Sequence, residues 1–294
     1  MKVLETIKVD NFYSGSNWDF ERTTKYIIDL DGIQIEAGYF EHYKGNTFVK
    51  AVIELPQSYG CPSKCRFCAS AAIEGCHLLD ADTLEEMFYY IYQDNNLQKQ
   101  QYVLLTMTGM GDIFFNYKNV ELFLKRIKDT KNLYVTLSSC LWNVDLLKKV
   151  HGLSKYISIR NVQITFITDD NEILSRIIPY YQSKEYQMRE VLDYIKTSEE
   201  QYYRVNYIMI KNINDSEEIF RRFCNLLNEV KDKVIVRISK LNETKATKRN
   251  QLQSTDINKL EMLQKSLQKE NIKSYIFYAH KNDNMNCGQL ITER

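Results

Sequence analysis

Proline is scarce in this chain, at three residues in 294, and glycine is scarce too, at ten. No Gly/Ser-rich linker or low-complexity tract interrupts it. A string of flexibly tethered modules, a collagen-like rod and a disordered chain are all poor fits to such a composition. No apolar run approaches the ~20 residues that cross a bilayer. The opening stretch "MKVLETIKVD" has neither the apolar segment nor the cleavage pattern of a secretory signal. An excess of either charge is also missing: 39 Lys and Arg face 38 Asp and Glu, a formal net charge of +1. Proteins that neutralise many phosphates are usually more basic, so a broad nucleic-acid footprint is disfavoured while a local basic patch stays open. Together these absences predict a cytoplasmic protein with no membrane partner. Seven cysteines, an odd number at uneven spacing, do not read as a disulfide framework. Reduced thiols with metal or redox roles fit better.

What is present is a pattern of strands and helices. Hydrophobic residues make up 44% of the chain and charged ones 26%, enough for a packed core. "KYIIDLDG" followed by "IQIEAGYF" predicts a β-hairpin around Asp31 and Gly32. After residue 47, strand-like runs alternate with amphipathic helices. The strands are "FVKAVIELP" (48–56), "YVLLTMTG" (102–109), "LYVTLSS" (133–139), "VQITFIT" (162–168), "YRVNYIMI" (203–210), "KVIVRIS" (233–239) and "KSYIFYA" (273–279). Helical spacing marks "DTLEEMFYYIYQ", with Asp82 as N-cap, and later "NVELFLKRIKD", "MREVLDYIK", "DSEEIFRRFCNLLNEV" and "STDINKLEMLQKSLQKE". Repeated strand-then-helix units imply parallel strands joined by crossovers. The expected architecture is α/β: a small N-terminal β extension over residues 1–47 and a partial (β/α) barrel over 48–294. In such folds the chemistry sits at the C-terminal ends of the strands.

Three cysteines fall in that place. "YGCPSKCRFCAS" (59–70) follows the first barrel strand and holds Cys61, Cys65 and Cys68 in a C-x3-C-x2-C spacing. "GMGD" (109–112), "SSC" (138–140) and "KLN" (240–242) follow the second, third and sixth strands, so all should converge on one mouth. A compact loop can offer three thiolates to three irons of a cubane, leaving one iron without a protein donor. An open metal position is what a catalytic site needs. The competing reading is zinc, with Cys76 or His77 as the fourth ligand, although structural zinc sites usually pair one C-x-x-C knuckle with another.

The spacing and its place after a first strand resemble the radical S-adenosylmethionine (SAM) superfamily. Phe67, between the second and third cysteines, matches the aromatic residue common there. Over residues 20–290 the chain resembles, more narrowly, the methyltransferases of that superfamily that modify adenine in ribosomal RNA. "PQSYGCPSKCRFCAS", "GMGDIFFNYKNV", "VTLSS", "YIMIKNINDSEE" and "CGQL" occur in that family's order. The resemblance implies a [4Fe-4S] cluster on Cys61, Cys65 and Cys68. It also implies SAM chelating the fourth iron, and electron transfer from a donor such as flavodoxin or ferredoxin to release a 5′-deoxyadenosyl radical. Gly109 and Gly111 would let the backbone approach the ligand, and Asp112, where the family has Glu, would accept from the SAM amino group. Ser138, Thr165 and Asn242 match SAM-contact positions, although Thr165 lies in a segment where the family carries a His. Cys287 would carry a methyl group taken from one SAM. Its methylene radical, formed with a second SAM, would add to an sp2 carbon. Glu36 matches the proton acceptor that restores the aromatic base.

Two departures accompany the resemblance. The family has a second cysteine seven residues before the first cluster cysteine, where it resolves the thioether. This chain has Glu54 there, and Cys140 or Cys76 is the available substitute. About 20 residues precede the matched region, too few for the family's accessory helical domain. Both features point away from ribosomal RNA as an obligatory substrate and towards a nucleotide, a smaller RNA, a peptide or another small molecule. A radical SAM enzyme with a reaction other than methylation, and a zinc-stabilised binding protein, are the remaining readings.

Overall fold

The computed structural model describes residues 1–13, 18–183, 188–200, 202–278 and 289–290. In chain order the elements are β1 (Lys2–Phe12), β2 (Phe20–Leu30), β3 (Ile33–Lys44), β4 (Thr47–Glu54), β5 (Ser58–Tyr59), β6 (His77–Leu78), α1 (Ala81–Asp94), β7 (Val103–Met107), α2 (Ile113–Arg126), β8 (Leu133–Ser139), α3 (Val144–His151) and β9 (Ser158–Phe166). There follow α4 (Asn171–Ile177), α5 (Met188–Thr197), β10 (Tyr203–Met209), α6 (Glu217–Leu227), β11 (Val234–Lys240), α7 (Lys245–Arg249), α8 (Ile257–Lys269) and β12 (Ser274–Phe277).

Ten strands form one sheet in the order β1-β2-β3-β4-β7-β8-β9-β10-β11-β12. The first four pair antiparallel. From β4 onward every neighbour is parallel. The expected hairpin turns at Asp31–Gly32, with Leu30 opposite Ile33. Strand β1 is an addition to it. Its side chains are mostly exposed, so the segment carries little hydrophobic signal, and its pairing with β2 defines it. The antiparallel extension and the parallel strands share one hydrogen-bonded sheet, because β3 pairs directly with β4. The sheet runs open from β1 to β12, giving a partial α/β barrel.

The two faces of the parallel strands differ in kind. Alternate residues such as Ile53, Leu105, Leu137, Val162, Val205 and Val236 are almost fully buried. They pack with Phe88 of α1, Phe123 of α2, Leu147 of α3, Phe220 of α6 and Leu263 of α8 in one hydrophobic core. Each such side chain contributes about 1.5–3 kcal/mol by leaving water, so this face holds the helices to the sheet. The residues between them face the barrel lumen and include the polar Glu54, Thr106, Thr136, Gln163, Asn206 and Ser239 beside the apolar Val52, Leu104 and Ile208. A closed (β/α)8 barrel fills its lumen with packed aliphatic side chains. Here polar side chains share the lumen and a cavity opens at the C-terminal strand ends.

Helix starts follow the capping rules. Asp80, not Asp82, caps α1, its carboxylate accepting from Thr83 N at 2.8 Å. Asp82 lies two residues too deep for that role, where it pairs with Arg126. Asp112 caps α2 by accepting from Phe114 N at 2.9 Å, which brings a cap into the candidate site. No described helix is long and apolar enough to cross a membrane.

Candidate active site

The cysteine loop is an excursion closed at its base. Strands β5 and β6 pair Ser58 with Leu78 and Tyr59 with His77. Beneath them, buried Asn116 donates from Nδ2 to the carbonyls of Gln57 and Leu79, each at 2.7 Å. Asn116 leaves helical geometry to do so, with φ −116° and ψ 21° inside α2. Within the loop, Lys64 Nζ caps the carbonyl of Ile73 at 2.6 Å. The far side of the loop is held by the segment around α7: Thr244 Oγ1 donates to Phe67 O at 3.3 Å and Asn250 Nδ2 to Arg66 O at 2.9 Å.

The "GMG" turn after β7 braces the same loop. Met110 O accepts from Gln57 N at 2.6 Å and from Ser58 N at 3.2 Å. A side chain at Gly109 would come within 2.8 Å of Leu55 O and 2.9 Å of Pro56 N. Gly111 has φ +102°, and a Cβ there would stand 3.0 Å from Ser58 N. The glycines are therefore required by close approach to the chain's own 55–58 segment. That approach sets the height of the cysteine loop over the strand ends.

Every described residue of the expected site lines one cavity of about 1320 Å³, its solvent-open mouth included. Cys61, Cys65, Cys68, Gly109, Gly111, Asp112, Ser138, Thr165, Asn242 and Glu36 are all on its wall. Cys287 lies outside the described residues. Gln289 and Leu290, just beyond it, line the cavity, and Gln289 Nε2 donates to Glu243 O at 2.6 Å.

The carboxylate of Asp112 is heavily engaged. It accepts from Ser139 Oγ at 2.6 Å, from Cys140 N at 3.0 Å and from Cys140 Sγ at 3.3 Å, besides its capping bond. Burial raises its pKa and these bonds oppose the rise. Asp112 thus joins the α2 start to the end of β8. Cys140 comes to the cluster loop, its Sγ 3.8 Å from Cys65 Sγ. That contact and burial hold its thiol well above the ordinary range. Burial pushes the Cys61 thiol up to about 12, against a small opposing pull from Ser63.

Several wall residues are not among the expected site residues, and Glu54 is marked in the sequence only as a missing cysteine. Glu54 stands at the end of β4, 3.5 Å from Lys25 Nζ, with side chains 13% and 5% exposed respectively. Thr108 Oγ1 donates to the other Glu54 oxygen at 2.9 Å. Gln163 Nε2 donates to Ser138 Oγ at 3.1 Å, and Arg237 lies over the Phe277 ring at 3.6 Å. The signal shared by Glu54, Gln163 and Arg237 is a polar residue at an alternate, lumen-side strand position.

A sequence profile of the Radical SAM superfamily matches residues 55–224. The chain belongs to the radical SAM superfamily. Curated relatives include a probable dual-specificity RNA methyltransferase RlmN of Pseudothermotoga lettingae, 31% identical over 81% of this chain and 67% of that one. The corresponding protein of Dictyoglomus turgidum is 28% identical over 70% of this chain and 58% of its own length. That of Streptococcus pyogenes is 23% identical over 91% and 74%. The chain therefore spans roughly three fifths to three quarters of these relatives' length. The crystal structure of a radical SAM methyltransferase from Sphaerobacter thermophilus shares the fold, with a TM-score of 0.73 over 97% of this chain and 81% of that one, at 16% identity.

The superfamily implies an iron–sulfur cluster and SAM, and the thiols present fit the cluster. Three thiols from one short loop face one cavity. Among the described residues no three Cys, His, Asp or Glu side chains converge tightly enough to hold a single ion. A radical SAM cubane instead takes each thiolate on a different iron. Buried thiols with raised pKa values need positive charge to ionise, which an iron cluster supplies. Cys76 and His77, the candidates for a zinc ligand, are exposed and off the cavity wall.

Proposed function

We propose that this chain is a cytoplasmic radical SAM methyltransferase that modifies an sp2 carbon of a nucleotide, an RNA or a related planar substrate. In this reading Cys61, Cys65 and Cys68 hold the [4Fe-4S] cluster, and an electron donor such as flavodoxin or ferredoxin reduces it. When bound, cluster and SAM supply one-electron chemistry at the barrel mouth. The chain's own residues do the rest. Asp112 and the Gly109–Gly111 turn fix the position of the cysteine loop. Ser138, Thr165 and Asn242 offer polar contacts to SAM. Cys287 carries the methyl group as a thioether, and Glu36 takes the proton that leaves the substrate carbon. Residues 1–47 act as an extension that walls the cavity with Lys25 and Glu36.

The observation that carries this reading is convergence. Residues from seven separate segments, 36 to 290 in the chain, meet on one cavity wall, and "CGQL" ends on that wall. The test is anaerobic reconstitution followed by incubation with SAM labelled in its methyl group. The label is expected on Cys287 and then on product. An active enzyme whose Cys287 never carries label would refute the methyl-carrier role.

One observation favours a second reading, a radical SAM reaction other than methylation. Position 54, where the resembling methyltransferases resolve their thioether, holds a carboxylate fixed by Lys25 and Thr108. Carboxylates form no disulfide. On this reading Cys287→Ala still converts substrate.

A further inference from the structure

The near-zero net charge conceals an uneven distribution. On the lumen side of the sheet, below the cavity, cations collect from four strands: Lys50 of β4, Arg160 of β9, Arg204 of β10 and Arg237 of β11. All three guanidinium groups act on the Lys50 amine. Burial first, then Arg204, pull that amine down to about 8. The opposing charge on it is Glu21, whose carboxylate already receives His42 Nε2 at 2.8 Å, Thr23 Oγ1 at 3.1 Å and Tyr13 OH at 3.2 Å. Among the described residues Lys50, Arg160 and Arg204 form no ion pair, and the buried Nε of Arg204 has no hydrogen-bond partner. Lys50, Arg204 and Arg237 are half-buried and Arg160 is exposed, and like charges gathered at half-buried positions are costly unless an anion joins them.

Aromatic faces border the same floor. Tyr102 and Tyr134 stack at 4.5 Å with their planes 15° apart, and the Arg160 guanidinium acts on the Tyr102 hydroxyl. Lys50 sits over the Trp18 ring at 4.6 Å. The floor adjoins the cavity through Arg237. Arg237 is itself on the cavity wall, and Arg204 lies two residues before wall residue Asn206, about 7 Å along the strand at ~3.3 Å per residue. A ribose and its phosphate can span that reach.

We propose that this lumen floor binds the phosphate of a nucleotide substrate whose base faces the cluster cavity. The proposal rests on the radical SAM reading for the base, and on the cations alone for the phosphate. Guanidinium forks match phosphate oxygens in geometry and charge, and the flanking rings suit a nucleic-acid strand. A local excess of cations in the lumen lets a chain of net charge +1 still select a phosphorylated substrate.

The test is calorimetric titration of the reconstituted holoenzyme with inorganic pyrophosphate, adenosine and 5′-AMP. Pyrophosphate is expected to bind saturably, and 5′-AMP at least tenfold more tightly than adenosine. Arg204→Gln and Lys50→Gln should each weaken pyrophosphate at least tenfold and bring AMP and adenosine together. Arg204→Lys, which keeps the charge, should recover part of the difference and so separates loss of the site from loss of the fold. Equal affinity for AMP and adenosine in the wild type, or wild-type anion binding in Arg204→Gln, overturns the proposal. Reductive SAM cleavage is measured in parallel. Its failure alongside intact anion binding would count against the radical SAM reading and leave the phosphate floor standing.

Discussion

Replacing Asn116 by Asp changes almost no volume but removes both donors that close the base of the cysteine loop. In their place a carboxylate oxygen would stand 2.7 Å from the carbonyl oxygens of Gln57 and Leu79. Gln57 O keeps its bond from Leu79 N at 3.1 Å, so the heavier loss falls on Leu79 O. A buried group deprived of its partner costs about 1–3 kcal/mol, and carboxylate–carbonyl repulsion adds to it. The chain can escape by protonating the carboxyl, at ~4 kcal/mol near neutral pH from a starting pKa of about 3.9. The two routes bracket a loss of about 2–4 kcal/mol at neutral pH, or a Tm lower by on the order of 3–7 °C. The sign of its pH dependence follows. The introduced carboxyl has a folded pKa above its unfolded one, so stability tied to its proton is present at low pH and is lost as pH rises. The deficit against wild type should therefore shrink by up to ~2.7 kcal/mol between about pH 7.5 and about pH 5.5. Urea denaturation at both pH values measures it, and iron retention after reconstitution reads the loop. A deficit under about 1 kcal/mol, or one indifferent to pH, would show that Asn116 does not clamp the loop.

Three further outcomes are expected. Single Cys61→Ser, Cys65→Ser and Cys68→Ser variants should each lose iron and 5′-deoxyadenosine formation while far-UV circular dichroism stays unchanged, because the thiols line a cavity and are not part of the helix-side core. Glu54→Ala should cost about 3–5 kcal/mol by leaving Lys25 buried without its partner, whereas the double variant Lys25→Met, Glu54→Leu should recover most of that in urea denaturation. Gly109→Ala should lower Tm by an amount corresponding to about 1–3 kcal/mol, since its Cβ meets the backbone of Leu55 and Pro56. Gly152→Ala, with open space around it, should be neutral or mildly stabilising in the same scan.

The sequence by itself determined the local periods and the chemistry-bearing loop. Alternation of apolar residues is a property of neighbours along the chain, so "LYVTLSS" announces β8 residue for residue. Cys61, Cys65 and Cys68 need only their own spacing to be recognised, and the strand before them tells which end of the barrel they occupy. The strand order of the parallel region follows from successive strand–helix units.

What the tertiary structure alone decided involves partners distant in sequence. Strand β1 exists because β2 offers it hydrogen bonds; its own side chains are mostly exposed. Asp80 rather than Asp82 caps α1 because the chain enters the helix two residues earlier than its apolar spacing implies. Gly109 and Gly111 are small because the 55–58 segment presses on them. Asp112 spends its carboxylate on Ser139 and Cys140, 27 and 28 residues away. Glu54 reads as a missing thiol in the sequence and becomes half of a buried ion pair only when Lys25, 29 residues earlier, is brought against it. The lumen cations are the extreme case. Four strands each contribute one residue, and no stretch of sequence contains two of them. Net charge sums over the chain, while the field at a point depends on distance, and the fold sets the distances.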